Sequence, residues 1–180
     1  MNIFIDTEFT DLPGEGSHSE LIAIGIYCED GSTYYGCLSD FNHDHLSDFV
    51  KEHVLPLLPE GQSRVTYEEM SREVSAFLKD KEITSVWATY PTLEQLHNMY
   101  PSSTDIHAIY RDYADWDFKL LLKLLGSNPL SLPKKCENIA LLISELEPEN
   151  VPENLVEHDA LQDAIWNFKV WEAASGKACT

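Results

Sequence analysis

Two carboxylates stand in an apolar stretch near the start of the chain: Asp6 and Glu8 in NIFIDTEFTDL, residues 2–12. Alternate side chains of a strand share a face, so this spacing projects both acids the same way. Adjacent carboxylates repel and resist leaving water. A cation between them resolves the conflict, and hard divalent ions such as Mg²⁺ take oxygen ligands.

Two further stretches carry chemistry. EHDALQDA, residues 157–164, sets His158 and Asp163 around the start of a helix. RDYADWDFKLL, residues 111–121, sets Asp117 after Trp116 at another helix start, with Asp112 and Asp115 as competing acids. Taken alone, each has an ordinary structural explanation. A carboxylate at a helix N-terminus is stabilised by the dipole, and a histidine there can cap. The combination with an acidic pair on the first strand is what points to a site.

The elements that must position these groups follow from periodicity. Ile3, Phe4 and Ile5 are all apolar, as in a central strand covered on both faces. LIAIGIYC (21–28) and TYYGCL (33–38) read as two more strands, joined by the turn EDGS, and complete an antiparallel meander. LSDFVKEHVLPLL reads as helical up to Pro56. Residues 66–80 read as a helix with Thr66 and Glu69 in a capping box and Met70, Val74, Phe77 and Leu78 on one stripe. SVWATY (85–90) reads as a strand, 92–100 as a short helix and IHAIY (106–110) as another strand. A helix over 117–126 closes at Gly126. KKCENIALLISEL reads as one helix, PENVPEN as a loop and 160–174 as the last helix, with Leu161, Ile165, Phe168 and Trp171 on one face. The order predicts an α/β fold: an antiparallel three-strand meander, then parallel strands, flanked by helices.

The 180 residues suit one domain, 1–180, able to bury roughly 70% of its unfolded surface. No apolar run approaches the ~20 residues of a membrane helix, and a strand from residue 2 leaves no room for a signal peptide. Cys28, Cys37, Cys136 and Cys179 lack C-x-x-C spacing, which suits reduced thiols in a cytoplasmic protein. Twelve basic against 31 acidic residues give a net charge of −19. That balance argues against a long electrostatic track for nucleic acid, though not against a short strand held through metal ions.

The D-x-E of Asp6-Thr7-Glu8, the Trp116-Asp117 pair opening a helix and the H-x-A-x-x-D of His158 to Asp163 together resemble the DEDDh 3′→5′ exonucleases of the ribonuclease H-like superfamily. DTEFTDL followed by ELIAIGIYCEDGSTYY is most similar to the small bacterial exoribonucleases of the Rv2179c-like type. The resemblance spans residues 2 to 38 and 106 to 170. It implies a ribonuclease H-like sheet and makes Asp6, Glu8, Asp117 and Asp163 metal ligands, with His158 the general base. It implies two Mg²⁺ or Mn²⁺ ions, roughly 4 Å apart, holding the attacking and leaving oxygens of a phosphodiester displacement. Histidine, with a reference pKa of ~6.5, suits a base working near neutral pH. If residues 85–100 form the second motif instead, Glu94 or Thr92 takes the place of Asp117; Asp115 is a further alternative.

The implied substrate is the 3′ end of a single strand, RNA favoured over DNA, and a homodimer is expected by analogy. Thr7, Phe9 and Leu12, beside the acidic pair, are the expected substrate contacts, since stacking on an aromatic tolerates any base. Phe9 suits a core position equally. Trp87, Trp116 and Tyr113 could also stack, Lys134 and Lys135 could meet phosphates, and His43 and His45 alternate like metal ligands. The competing functions are a single-stranded DNA exonuclease and a non-catalytic nucleic-acid or protein-binding module on the same fold.

Overall fold

The first strand, β1 (Asn2–Phe9), is covered on both faces, as its unbroken apolar start requires. Ile3 and Ile5 enter the larger core, while Phe4 points the other way into a smaller cluster with Ile139, Val170 and Trp171. The computed structural model describes residues 1–13, 18–102, 105–126 and 132–176. Within them β1 pairs antiparallel with β2 (Leu21–Cys28), which pairs antiparallel with β3 (Thr33–Cys37). On its other edge β1 runs parallel to β4 (Ser85–Ala88), and β4 runs parallel to β5 (Cys136–Asn138). The sheet order is β3-β2-β1-β4-β5, the mixed α/β sheet the sequence predicts.

Helices cover the two faces. On the Ile3/Ile5 side lie α1 (Tyr67–Leu78) and α4 (Trp116–Leu125). Thr66 and Glu69 form the expected capping box, and Met70, Val74 and Leu78 are fully buried. Gly126 ends α4 at φ +59°, a conformation that costs glycine little. The Thr92-capped α2 (Leu93–Met99) packs with α3 (Ile106–Tyr113). On the Phe4 side lie α5 (Ile139–Ile143) and α6 (Ala160–Ala174). No helix among the described residues is long and apolar enough to cross a membrane. Cys28, Cys37 and Cys136 are buried free thiols; Cys179 lies outside the described residues.

Three expectations are corrected and a fourth, the helical segment before Pro56, is refined. IHAIY is the start of α3, not a strand: Asp105 accepts the Ala108 N–H at 2.8 Å, and this cap makes a short β-rich run helical. KKCENIALLISEL is not one helix, because Cys136–Asn138 joins the sheet beside β4. Asn138 then caps α5 through the Ala140 N–H at 3.0 Å. The segment before Pro56 is a π-helical turn, Val50–Val54, running into a 3-10 turn, Leu55–Leu57. On α6 the most buried stripe is Ala160, Ala164, Asn167, Val170 and Trp171, with Leu161, Ile165 and Phe168 only half-buried. The small residues are needed because the helix start lies directly against Gly25 of β2.

Candidate active site

The geometry of the site follows from period two along β1. Asp6 and Glu8 share the face that α6 covers, so they meet Asp163, one turn into that helix. Ligand oxygens of Asp6, Glu8 and Asp163 lie within 4.8 Å of one another. Thr7 points to the opposite face, where α4 packs. Its N–H and Oγ1–H both donate to Asp117 Oδ1, at 3.0 and 2.6 Å. Thus Asp117 reaches the same strand from the other layer.

Each acid is held in place by its surroundings. Asp159 caps α6 by accepting the N–H groups of Leu161 and Gln162. This sets Asp163 where one carboxylate oxygen accepts the His158 N–H at 2.8 Å and the other accepts from the Asn154 amide. Among the described residues, only Asp115 (φ 58°) and His158 (φ 67°) are non-glycine residues with positive φ. Both flank site acids, and such strain persists only where the surroundings enforce it. The β1–β2 register slips between Glu8 and Phe9, a bulge immediately beside the acidic pair.

Burial makes this arrangement costly without a cation. Asp6 is pushed well above the carboxylate range by desolvation, with Asp117 and Glu8 adding repulsion. Glu8 is pushed up to about 8, mainly by burial and then by Asp163. Burial likewise raises Asp117 to about 6 against the lowering effect of the Thr7 hydrogen bonds. It raises Asp163 despite the bonds from Asn154 and His158. Buried, mutually repelling carboxylates that are all hard oxygen donors suit a divalent cation. The donor set therefore fits the metal that the motifs imply.

The acids open into a cleft of about 480 Å³. Asp6, Glu8, Asp117, His158 and Asp163 all line it, as do Thr7, Phe9 and Leu12. Phe9 stands edge-on to Trp116 with ring centroids 6.5 Å apart, and Leu12 is 52% exposed at the wall. Tyr113 and Trp116 line the cleft; Trp87 packs instead with the α6-side cluster. Glu94 and Thr92 lie on α2 and at its cap, away from the cleft lining, and Asp115 directs its side chain to Tyr90. Lys135 pairs with Glu137 at 2.7 Å, and the His45 ring lies tilted against that of His18 with centroids 4.6 Å apart, in no three-residue ligand group among the described residues.

Other residues of the site carry no motif. Phe49, Val50 and Val54 form a wall from the π-helical turn, with Phe49 edge-on to His158 at 5.0 Å. Tyr90 lines the wall at the end of β4. The hydroxyl of Thr7, expected to meet substrate, is buried and holds Asp117. Asn154 gave no signal. Asn167 gave none either, because the face expected to be buried was that of Leu161, Ile165, Phe168 and Trp171.

The chain is similar to 3′-5′ exoribonucleases. It is 34% identical over 92 residues to two Mycobacterium tuberculosis proteins, 3′-5′ exoribonuclease Rv2179c of strain H37Rv and 3′-5′ exoribonuclease MT2234.1 of strain CDC 1551. Each match covers 49% of this chain and 53% of the relative, so the chain spans about half the length of the curated relatives it matches. No family model matches. Among solved structures, the crystal structure of cell-death related nuclease 4 (CRN-4) superposes with a TM-score of 0.53 at 16% identity, over 98% of this chain and 64% of that one. That likeness is one of fold. The resemblance to Rv2179c-like exoribonucleases is borne out by the two curated relatives.

Proposed function

We propose that residues 1–180 form one exonuclease domain that removes nucleotides from the 3′ end of single strands, RNA in preference to DNA, in a divalent-metal-dependent hydrolysis. The observation that carries this reading is the meeting of Asp6, Glu8 and Asp163 within 4.8 Å, in a cleft that Asp117 and His158 also line. Asp6, Glu8, Asp117 and Asp163 would hold two Mg²⁺ or Mn²⁺ ions. Bound there, such ions supply Lewis-acid stabilisation of the attacking and leaving oxygens.

The chain's own groups do the rest. His158, half-buried at the cleft, accepts the proton of the attacking water. The positive-φ backbone at His158 and the Phe49 ring perpendicular to it help fix where its ring sits. Phe9, Leu12 and Trp116 offer apolar surface to the terminal bases, which suits sequence-tolerant stacking. The preference for RNA rests on the names of the matched relatives. Buried free thiols fit a reducing, cytoplasmic setting.

The test is incubation with 3′- and 5′-labelled RNA and DNA oligomers in Mn²⁺, Mg²⁺ or EDTA. The expected result is mononucleotide release from the 3′ end, faster on RNA and absent in EDTA. Release from the 5′ end, or full activity in excess EDTA, overturns the reading.

A further inference from the structure

We propose that Asn167 is a positioning residue that sets the spacing of the metal ligands, by tying α6 to β1 and to the end of β4. The inference rests on the metal-site reading above. Asn167 stands one turn beyond Asp163 on α6 and is 1% exposed. Its Nδ2–H donates to the Ile5 carbonyl at 3.1 Å, and its Oδ1 accepts the Thr89 hydroxyl at 2.6 Å. Chemistry fixes that orientation of the amide, because a carbonyl cannot donate.

The place of this bridge gives it its meaning. Parallel pairing between β1 and β4 ends at Phe4–Trp87, so the two strands part at Ile5. The cleft opens where they part: Asp6 follows Ile5 directly, and Thr89 lines the cleft wall. One side chain thus satisfies the Ile5 carbonyl next to Asp6, grips the wall at Thr89, and rides on the helix that carries Asp163. The α6 contact with β1 and β2 also includes packing of Ala160, Ala164 and Val170 and the rings of Phe168 and Trp171 against Phe4 and Tyr27. The hydrophobic part of that contact is non-directional. A ligand set must be held to within ~0.5 Å, which requires directional contacts in its support.

The test is direct titration of the metal-stripped protein with Mn²⁺, followed by the paramagnetic resonance signal of the free ion, with exonuclease rate measured separately. Asn167→Leu keeps the branching and heavy-atom count and removes both hydrogen bonds; its Mn²⁺ dissociation constant should rise roughly tenfold or more, as for lost support of metal ligands. Thr89→Val removes one contact and should give a smaller rise in the same direction. Val170→Ala, one turn further along α6, creates a cavity away from the cleft and should lower the melting temperature without changing Mn²⁺ affinity. Affinity within twofold of the unaltered protein in Asn167→Leu, or an equal loss in Val170→Ala, overturns the proposal. If Asn167→Leu does not fold, Thr89→Val decides, and unchanged affinity there overturns it. Mn²⁺ binding by a protein without exonuclease activity removes the proposed function alone and still permits this test; no Mn²⁺ binding at all removes both.

Discussion

Replacing Gly25 by alanine tests whether the site depends on how closely α6 approaches the sheet. Gly25 is paired with Asp6 across β1 and β2 and faces the start of α6. A Cβ there falls 2.1 Å from the Ala160 carbonyl oxygen, 2.3 Å from its carbon and 2.4 Å from the Leu161 nitrogen. All three atoms are backbone, so no side-chain rotation relieves the clash. Ordinary contact begins at 3.4 Å, so strand and helix must separate by about 1 Å or more. Asp163 lies in that part of the helix, and its oxygen must stay within 4.8 Å of those of Asp6 and Glu8. A displacement of this size costs ~10²-fold in rate, and overpacking costs ~1–3 kcal/mol of stability. For a chain of this size the stability cost lowers the melting temperature by about 2–12 °C. The assay is Mn²⁺ affinity and the rate on a 3′-labelled RNA oligomer, per folded molecule. Gly31→Ala is the control: it strains an exposed turn at φ +82° with nothing near its Cβ, and should leave rate and affinity unchanged. Wild-type rate and Mn²⁺ affinity in folded Gly25→Ala would refute the reasoning.

The remaining predictions concern the acids and the base. Asp117→Asn should abolish cleavage while folding normally, because an amide oxygen can still accept both Thr7 donors; Asp117→Ala should cost a further ~1–3 kcal/mol by leaving them unpaired. Glu94→Gln and Asp115→Asn should keep most of the activity, and a dead Glu94→Gln beside an active Asp117→Asn would show the wrong acid had been chosen. Glu8 rises from 4.5 to about 8 on folding, so the folded state binds more protons than the unfolded state across that window. Its contribution is fully present below pH 4.5 and is lost as pH rises to about 8. Melting temperature in EDTA should therefore fall between pH 5 and pH 8, and saturating Mn²⁺ should restore it at pH 8; a rise with pH in EDTA would contradict the buried repulsion. His158→Ala should lower turnover by roughly 10²-fold while keeping Mn²⁺ affinity. Unchanged turnover in that variant would reduce His158 to a structural residue at the start of α6.

Local spacing was readable from the sequence because backbone geometry alone enforces it. Asp6 and Glu8 share a face through the strand's period of two. Asp163 meets the His158 N–H because the intervening residues open a helix capped by Asp159. Thr66 with Glu69, and Gly126 at φ +59°, marked helix ends by their own chemistry. Contacts between distant segments were not readable. Asp117 enters the cleft, and Asp115 and Glu94 do not, through hydrogen bonds to Thr7, 110 residues away in the chain. Cys136–Asn138 is a strand because β4 offers an edge to pair with, and residues 106–110, expected as a strand, instead open a helix capped by Asp105. Asn154, Asn167 and Phe49 gained their places from packing, which sums over many weak contacts that no local pattern encodes. Sequence spacing determined which groups could act together along one element; only tertiary packing decided which elements meet, because that choice depends on shape and burial across the whole sheet.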